Sequence, residues 1–182
     1  MLTETFITFF KENNTMTQKY LEVIFQPKAD FEDQRGQIIN FLKLKEDGSG
    51  FKLKEAPEGV PDDTFVEVAY IEFKNAGDVR ANHYHPDGLN QFVYCVAGSY
   101  ETYAVKLKVN DKGEAEKDGE VQKQIVKQGD IAYTPSMVAH AMKTLEQNTV
   151  ILNLNPRKRD KDHHYAKEKP HTLPFKVIEP SK

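Results

Sequence analysis

Two histidines one residue apart, His83 and His85, stand in the stretch Gly77-Asp-Val-Arg-Ala-Asn-His-Tyr-His-Pro-Asp-Gly-Leu-Asn-Gln-Phe-Val-Tyr-Cys-Val-Ala-Gly98. Side chains two apart on an extended strand share a face, so both imidazoles project together, roughly 6–7 Å apart at the backbone. Pro86-Asp-Gly88 predicts a turn, and Gln91 to Val96 reads as the returning strand. A third imidazole, His140, follows Gly129-Asp-Ile-Ala-Tyr-Thr-Pro135, where a short strand and a proline-broken loop deliver it beside a final apolar strand. Imidazole titrates near neutrality and binds first-row metals, so two chemistries are open: proton transfer and metal coordination.

With His83, His85 and His140 as ligands and Gln91 as an optional fourth donor, the set suits one divalent ion of the Fe, Ni, Zn or Mn type. Without a metal, the His83/His85 pair could remove a proton alpha to a sugar ketone and return it one carbon away. A third reading is a binding module that holds a sugar or metabolite without chemistry. Arg80, Tyr70 and Tyr133 are further candidates for substrate contact. Their bland alternatives are a surface arginine, on the face opposite His83 if the strand is regular, and two core aromatics. His163 and His164 lie in a charged run that reads as a solvated segment.

The elements that must position these residues are short strands. Tyr20–Phe25, Phe65–Phe73, Ser99–Val109, Val121–Val126, Ile131–Tyr133 and Thr149–Leu154 carry strand patterns, and Asp47-Gly-Ser-Gly50 predicts a hairpin turn into Phe51–Leu53. A polar turn at Arg35-Gly36 feeds another strand. The segment 110–120, with two glycines and a run of charges, predicts a solvated hairpin loop. Residues 2–13 place Leu2, Phe6, Phe9 and Phe10 at helical spacing. The chain therefore divides into an N-terminal extension or short helix over 1–19, one all-β domain over 20–156, and a charged tail over 157–182 that either wraps the domain or hangs loose. Many short strands with almost no helical period predict a sandwich or barrel.

Composition narrows the function classes. The 182 residues suit one domain with a real core, and a 29% charged content with a net charge of -3 gives no sign of a nucleic-acid partner or an acidic membrane surface. The single cysteine, Cys95, lies in an apolar strand pattern, which predicts an inert buried thiol and fits a reducing compartment. No apolar run approaches a membrane span, and the first ten residues do not resemble a signal peptide. The expectation is a cytoplasmic protein acting on a small molecule, with no nucleic acid and no membrane.

Gly77-x5-His83-x-His85, Gln91-x6-Gly98 and Gly129-x5-Pro135-x4-His140 together resemble the paired motifs of the cupin superfamily. Gln91 stands where the first motif usually has Glu, Met137 where the second has Gly, and Thr144 where it closes on Asn. The resemblance implies a double-stranded β-helix, the jelly-roll barrel, with His83, His85, Gln91 and His140 lining one cavity, and it points to a homodimer. The blocks Arg80-Ala-Asn-His-Tyr-His85, Gln91 to Ser99 and Pro135 to Met142 look more closely like the sugar 3,4-ketoisomerase branch, and the Arg35-Gly36 turn is similar to the opening of that branch and of the sugar 3,5-epimerases. In that branch a Gln follows the paired histidines, the pair is catalytic, no metal is required, and the substrate is a nucleotide-linked 4-keto-6-deoxy sugar. The chain departs from it with Ala81 in place of Gly and with Ala139 where Trp is usual, which implies that an aromatic wall of the site is missing.

Overall fold

Fourteen antiparallel strands follow one another in a computed structural model that describes residues 20–85, 89–156 and 173–179. In chain order they are β1 (Val23–Phe25), β2 (Phe31–Asp33), β3 (Gly36–Ile38), β4 (Leu42–Leu44), β5 (Phe51–Leu53), β6 (Glu67–Phe73) and β7 (Val79–His83). Then come β8 (Gln91–Ala97), β9 (Ser99–Val109), β10 (Ala115–Lys117), β11 (Gln122–Lys127), β12 (Ile131–Thr134), β13 (Val138–Thr144) and β14 (Thr149–Asn155). One sheet runs β1-β12-β8-β14-β6 and the other β10-β9-β13-β7, with β11 also on β9. Facing each other, they make the all-β jelly roll that the motif spacing implied. The expected N-terminal helix, the Pro86–Gly88 turn and most of the charged tail lie outside the described residues.

Strand periodicity decides what fills the interior. On β8, Val93 and Cys95 point inward and meet Phe73, Tyr100, Val126, Ala132, Met142 and Ile151 from the other strands. The alternate residues Phe92 and Leu154 face outward with Ile131 and Tyr133, and there Leu53, Val60 and Phe65 of the N-terminal region cover them. On the other sheet the outward faces of Val105, Leu107, Ala139 and Ala141 are covered by Leu173, Phe175, Val177 and Ile178. The central strands are thus buried on two sides, which is why β12 and nearly all of β13 read as continuous buried runs. Burial pushes the Cys95 thiol up to about 12, so it is chemically quiet.

Three local expectations need correction. The 110–120 segment holds a short strand, β10, because Ala115 is small enough to tuck under the outer apolar layer in register with Val109. His140 sits in the middle ladder of β13, not in a loop, since the turn ends at Met137 and pairing begins at Val138. Ala139 points outward into the apolar layer under the C-terminal segment, so a small side chain here says nothing about the cavity. Gly98, by contrast, has the role its place in the motif suggested. Its φ is +76°, and a Cβ there would lie 2.5 Å from Thr149 Oγ1.

Opposed edges of the two sheets, β1 and β11, are joined by side chains. Gln122 Oε1 accepts from the Leu21 N–H (2.7 Å), and Gln124 Nε2 donates to the Glu22 carbonyl (3.0 Å). The Glu22 carboxyl turns into the barrel, where Thr134 Oγ1 and Thr102 Oγ1 donate to its two oxygens at 2.6 and 2.7 Å. Desolvation outweighs those two bonds and raises its pKa above the ordinary carboxylate value. A raised folded-state pKa favours folding while the acid is protonated and costs stability as pH rises above the unfolded value near 4.5. Glu22→Gln keeps a hydrogen-bonding neutral group at the same place. It is expected to raise stability at pH 7 by on the order of 1 kcal/mol or more, with the gain vanishing toward pH 4. Urea unfolding at the two pH values reads this; a loss of stability at pH 7 would contradict it.

Candidate active site

A skipped residue in the β7–β13 ladder builds the site. His83 pairs with His140 and Ala81 with Ala141, so Asn82 has no opposite number on β13. Ala81 and Asn82 both adopt left-handed backbone, with φ of +69° and +59°. Asparagine tolerates that region, whereas alanine pays roughly 1–2 kcal/mol, at the position where the resembling branch has glycine. The bulge turns Asn82 outward and His83 inward. Asn82 Oδ1 then accepts from the Val177 and Ile178 N–H groups at 2.9 and 3.1 Å, which ties the C-terminal segment to the strand that carries His83.

Inside the barrel the three imidazoles converge. The Nε2 atoms of His83 and His85 are 3.2 Å apart, and the ring centroids of His83 and His85 lie 4.8 and 5.2 Å from that of His140. One nitrogen from each residue falls within 4.8 Å of the others. The Met137 N–H donates to the His85 carbonyl at 2.9 Å, fastening the two motif blocks together. Met137 is itself at φ +59°, so the left-handed turn of the second motif persists without its glycine.

Proton placement follows from the contacts. His140 Nδ1–H donates to the Val138 carbonyl at 3.2 Å, which leaves its Nε2 as a bare lone pair. That Nε2 is buried and has no hydrogen-bond partner among the described residues. Burial lowers the His140 pKa to about 4, so the ring is neutral at physiological pH. A 3.2 Å contact between two ring nitrogens requires one to donate and the other to accept.

Gln91 lies on the opposite sheet at the same end of the barrel. Its Nε2 donates to Asn153 Oδ1 (3.4 Å), and Asn153 Nδ2 donates to Asn155 Oδ1 (2.9 Å). Both asparagines are buried. The remaining sequence candidates do not join the histidines. Arg80 stacks its guanidinium over the Phe73 ring at 5.2 Å. Tyr70 is 64% exposed on the outer face of β6, because it alternates with the inward residues of an edge strand. Tyr133 faces the outer layer against Phe92, its hydroxyl 3.5 Å from Asn90 Oδ1. Arg35 is held at the surface by Asp33. Sequence reasoning missed Asn153 and Asn155, whose i, i+2 spacing inside an apolar strand was the available signal. Glu22 and Asn82 gave no such signal, since their roles arise from contacts 80 or more residues away.

Three ring nitrogens fit a divalent ion by donor type, and His140 Nε2, without a partner among the described residues, is the atom that such an ion would satisfy. Among the described residues no helix is long and apolar enough to cross a membrane.

No protein-family model and no curated protein matches the chain. Solved structures do share its fold. A dTDP-4-dehydrorhamnose 3,5-epimerase from Bacillus anthracis, with TDP and PPi bound, superposes at a TM-score of 0.58 with 19% identity, over 87% of each chain. A 3,4-ketoisomerase from Thermoanaerobacterium thermosaccharolyticum in complex with TDP-4-keto-6-deoxyglucose gives 0.53 with 18% identity, over 79% of this chain and 86% of that one. A 3,4-ketoisomerase from Helicobacter canadensis gives 0.55 with 18% identity, over 78% and 86%. The jelly-roll barrel of this chain is thus a fold it shares with these epimerases and ketoisomerases.

Proposed function

We propose that this protein is a sugar-modifying enzyme that isomerises or epimerises a keto-deoxysugar linked to a nucleoside diphosphate, with His83 and His85 as its acid/base pair. The observation that carries the reading is the 3.2 Å contact between their Nε2 atoms inside the barrel, with the neutral His140 behind them. The accepting nitrogen takes the C–H proton alpha to the ketone, and the resulting enediolate is reprotonated at the neighbouring carbon while its two oxygens exchange a proton. Returning the proton to the same carbon on the other face would give epimerisation instead. Neither outcome needs a cofactor. Positioned acid/base groups of this kind contribute about 10²–10⁴ in rate. A cytoplasmic location agrees with the substrate class and the single reduced, buried cysteine.

A second reading is supported by the same histidines. His83, His85 and His140, with Gln91 as an optional further donor, would hold one Fe, Ni, Zn or Mn ion, which would supply Lewis-acid or oxygen chemistry. The two readings compete for the same lone pairs, because a nitrogen bound to metal cannot act as a base. His83→Ala is expected to abolish both metal uptake and turnover, whereas His140→Ala should weaken metal uptake more than turnover. Assays on nucleotide-linked keto sugars before and after chelation separate them. Full activity after chelation is expected; activity lost to the chelator and restored by added metal would overturn the acid/base reading.

We also propose a homodimer. Val66, Val68 and Tyr70 leave an apolar strip 46%, 47% and 64% exposed beside the free edge of β6, and Phe51 next to it is 47% exposed. An edge of this kind is commonly covered by a second copy. Sedimentation at micromolar concentration should give twice the chain mass, shifting toward the monomer on Val68→Lys; a monomeric wild-type protein would contradict it.

A further inference from the structure

We infer that Gln91, Asn153 and Asn155 form a one-way amide relay whose terminal donor, Asn155 Nδ2, binds the carbonyl oxygen of the sugar. The inference rests on the proposed sugar-modifying function and names the wall of the site opposite the histidines. Gln91 is on β8, and both asparagines are on β14, inward by the same alternation that sends Val93 and Ile151 into the core. Strand β8 begins and β14 ends at the end of the barrel where β7 delivers His83 and where β13 begins before His140. The relay and the imidazoles therefore face one another across the same mouth.

Direction is what makes the relay informative. Gln91 Nε2 donates to Asn153 Oδ1, which turns the Asn153 amide so that its Nδ2 donates onward to Asn155 Oδ1. With its oxygen engaged, Asn155 presents Nδ2, and that atom is buried with no hydrogen-bond partner among the described residues. Asn155 is only 8% exposed, and an unpaired donor in such a place carries a desolvation cost that a ligand oxygen would recover. The backbone on either side is pinned: the Asn155 carbonyl accepts from the Val66 N–H at 3.1 Å, and the residue pairs with Glu67. The donor's position is thus set by the sheet and its polarity by Gln91.

This also gives a reason for glutamine at position 91. A carboxylate there accepts only, so Asn153 would have to turn its Nδ2 toward it and offer Oδ1 to Asn155. Asn155 would then donate to Asn153 and present its own oxygen to the ligand. Exchanging one amide for a carboxylate two side chains away inverts the recognition group, from one that accepts a ketone to one that repels it. A ketone oxygen is an acceptor with no proton to offer, so it is the sugar group most sensitive to that inversion.

The test compares TDP-4-keto-6-deoxyglucose, TDP-glucose and TDP by titration calorimetry, with wild type, Gln91→Glu and Asn155→Asp. Wild type should bind the keto sugar more tightly than TDP. Both variants should lose roughly ten- to hundredfold in keto-sugar affinity with TDP affinity unchanged, and TDP-glucose should lose less because its hydroxyl can turn to donate. Thermal unfolding monitors folding. Should Asn155→Asp fail to fold, Gln91→Glu still carries the test, since it acts on Asn155 from two residues away. Variants that bind the keto sugar as wild type does, while wild type separates it from TDP, would overturn the relay and leave the proposed function standing. A wild type that binds the keto sugar no better than TDP would overturn the function and the relay with it.

Discussion

The bulge at Ala81-Asn82 is the constraint from which the site follows. In an unbroken ladder Asn82 would occupy the place opposite β13 that His83 now takes, and alternation would send His83 to the outer face. Two consecutive left-handed residues absorb the extra position at a cost carried mainly by alanine. The return is threefold: His83 faces His140, His85 comes within 3.2 Å of His83, and Asn82 is free to hold the backbone of Val177 and Ile178. A strained backbone of this kind persists only where surrounding contacts over-determine it. Here those contacts are the C-terminal segment on one side and the packed barrel on the other.

Burial of the central strands on both faces explains how a barrel this polar inside can be stable. The interior holds Glu22, Thr102, Thr134, Gln91, two asparagines and three histidines, so its apolar cluster fills only the other end. The outer layers supply what the interior lacks. Leu53, Val60 and Phe65 of the N-terminal region bury Phe92, Ile131 and Leu154, and the C-terminal segment buries Val105, Ala139 and Ala141. Residues remote from the site thus support the polar cavity that its chemistry requires.

Fold and histidines were legible because both are written in short-range pattern. Period-two alternation and turn glycines mark the strands, and the joint spacing of Gly77, His83, His85, Gly98, Pro135 and His140 marks the jelly roll. Contacts across the sheets left no such mark. Nothing near Glu22 in sequence says that Thr102 and Thr134 will meet it, and nothing near Asn82 announces Val177. Tyr70 and Tyr133 were plausible by type, but alternation places both on outward faces. Ala139 looked like a missing wall of the cavity because its neighbour His140 lines it, and adjacent residues of a strand face opposite ways.

The central claim is that the histidine pair itself moves a proton. Incubating chelator-treated protein with TDP-4-keto-6-deoxyglucose in D2O and following the sugar by NMR tests it most directly. Deuterium should enter at a carbon of the ketone/alpha-carbon pair, with wild-type protein and not with His83→Ala. Absence of exchange with wild type, or exchange that begins only when a divalent metal is added, would contradict it.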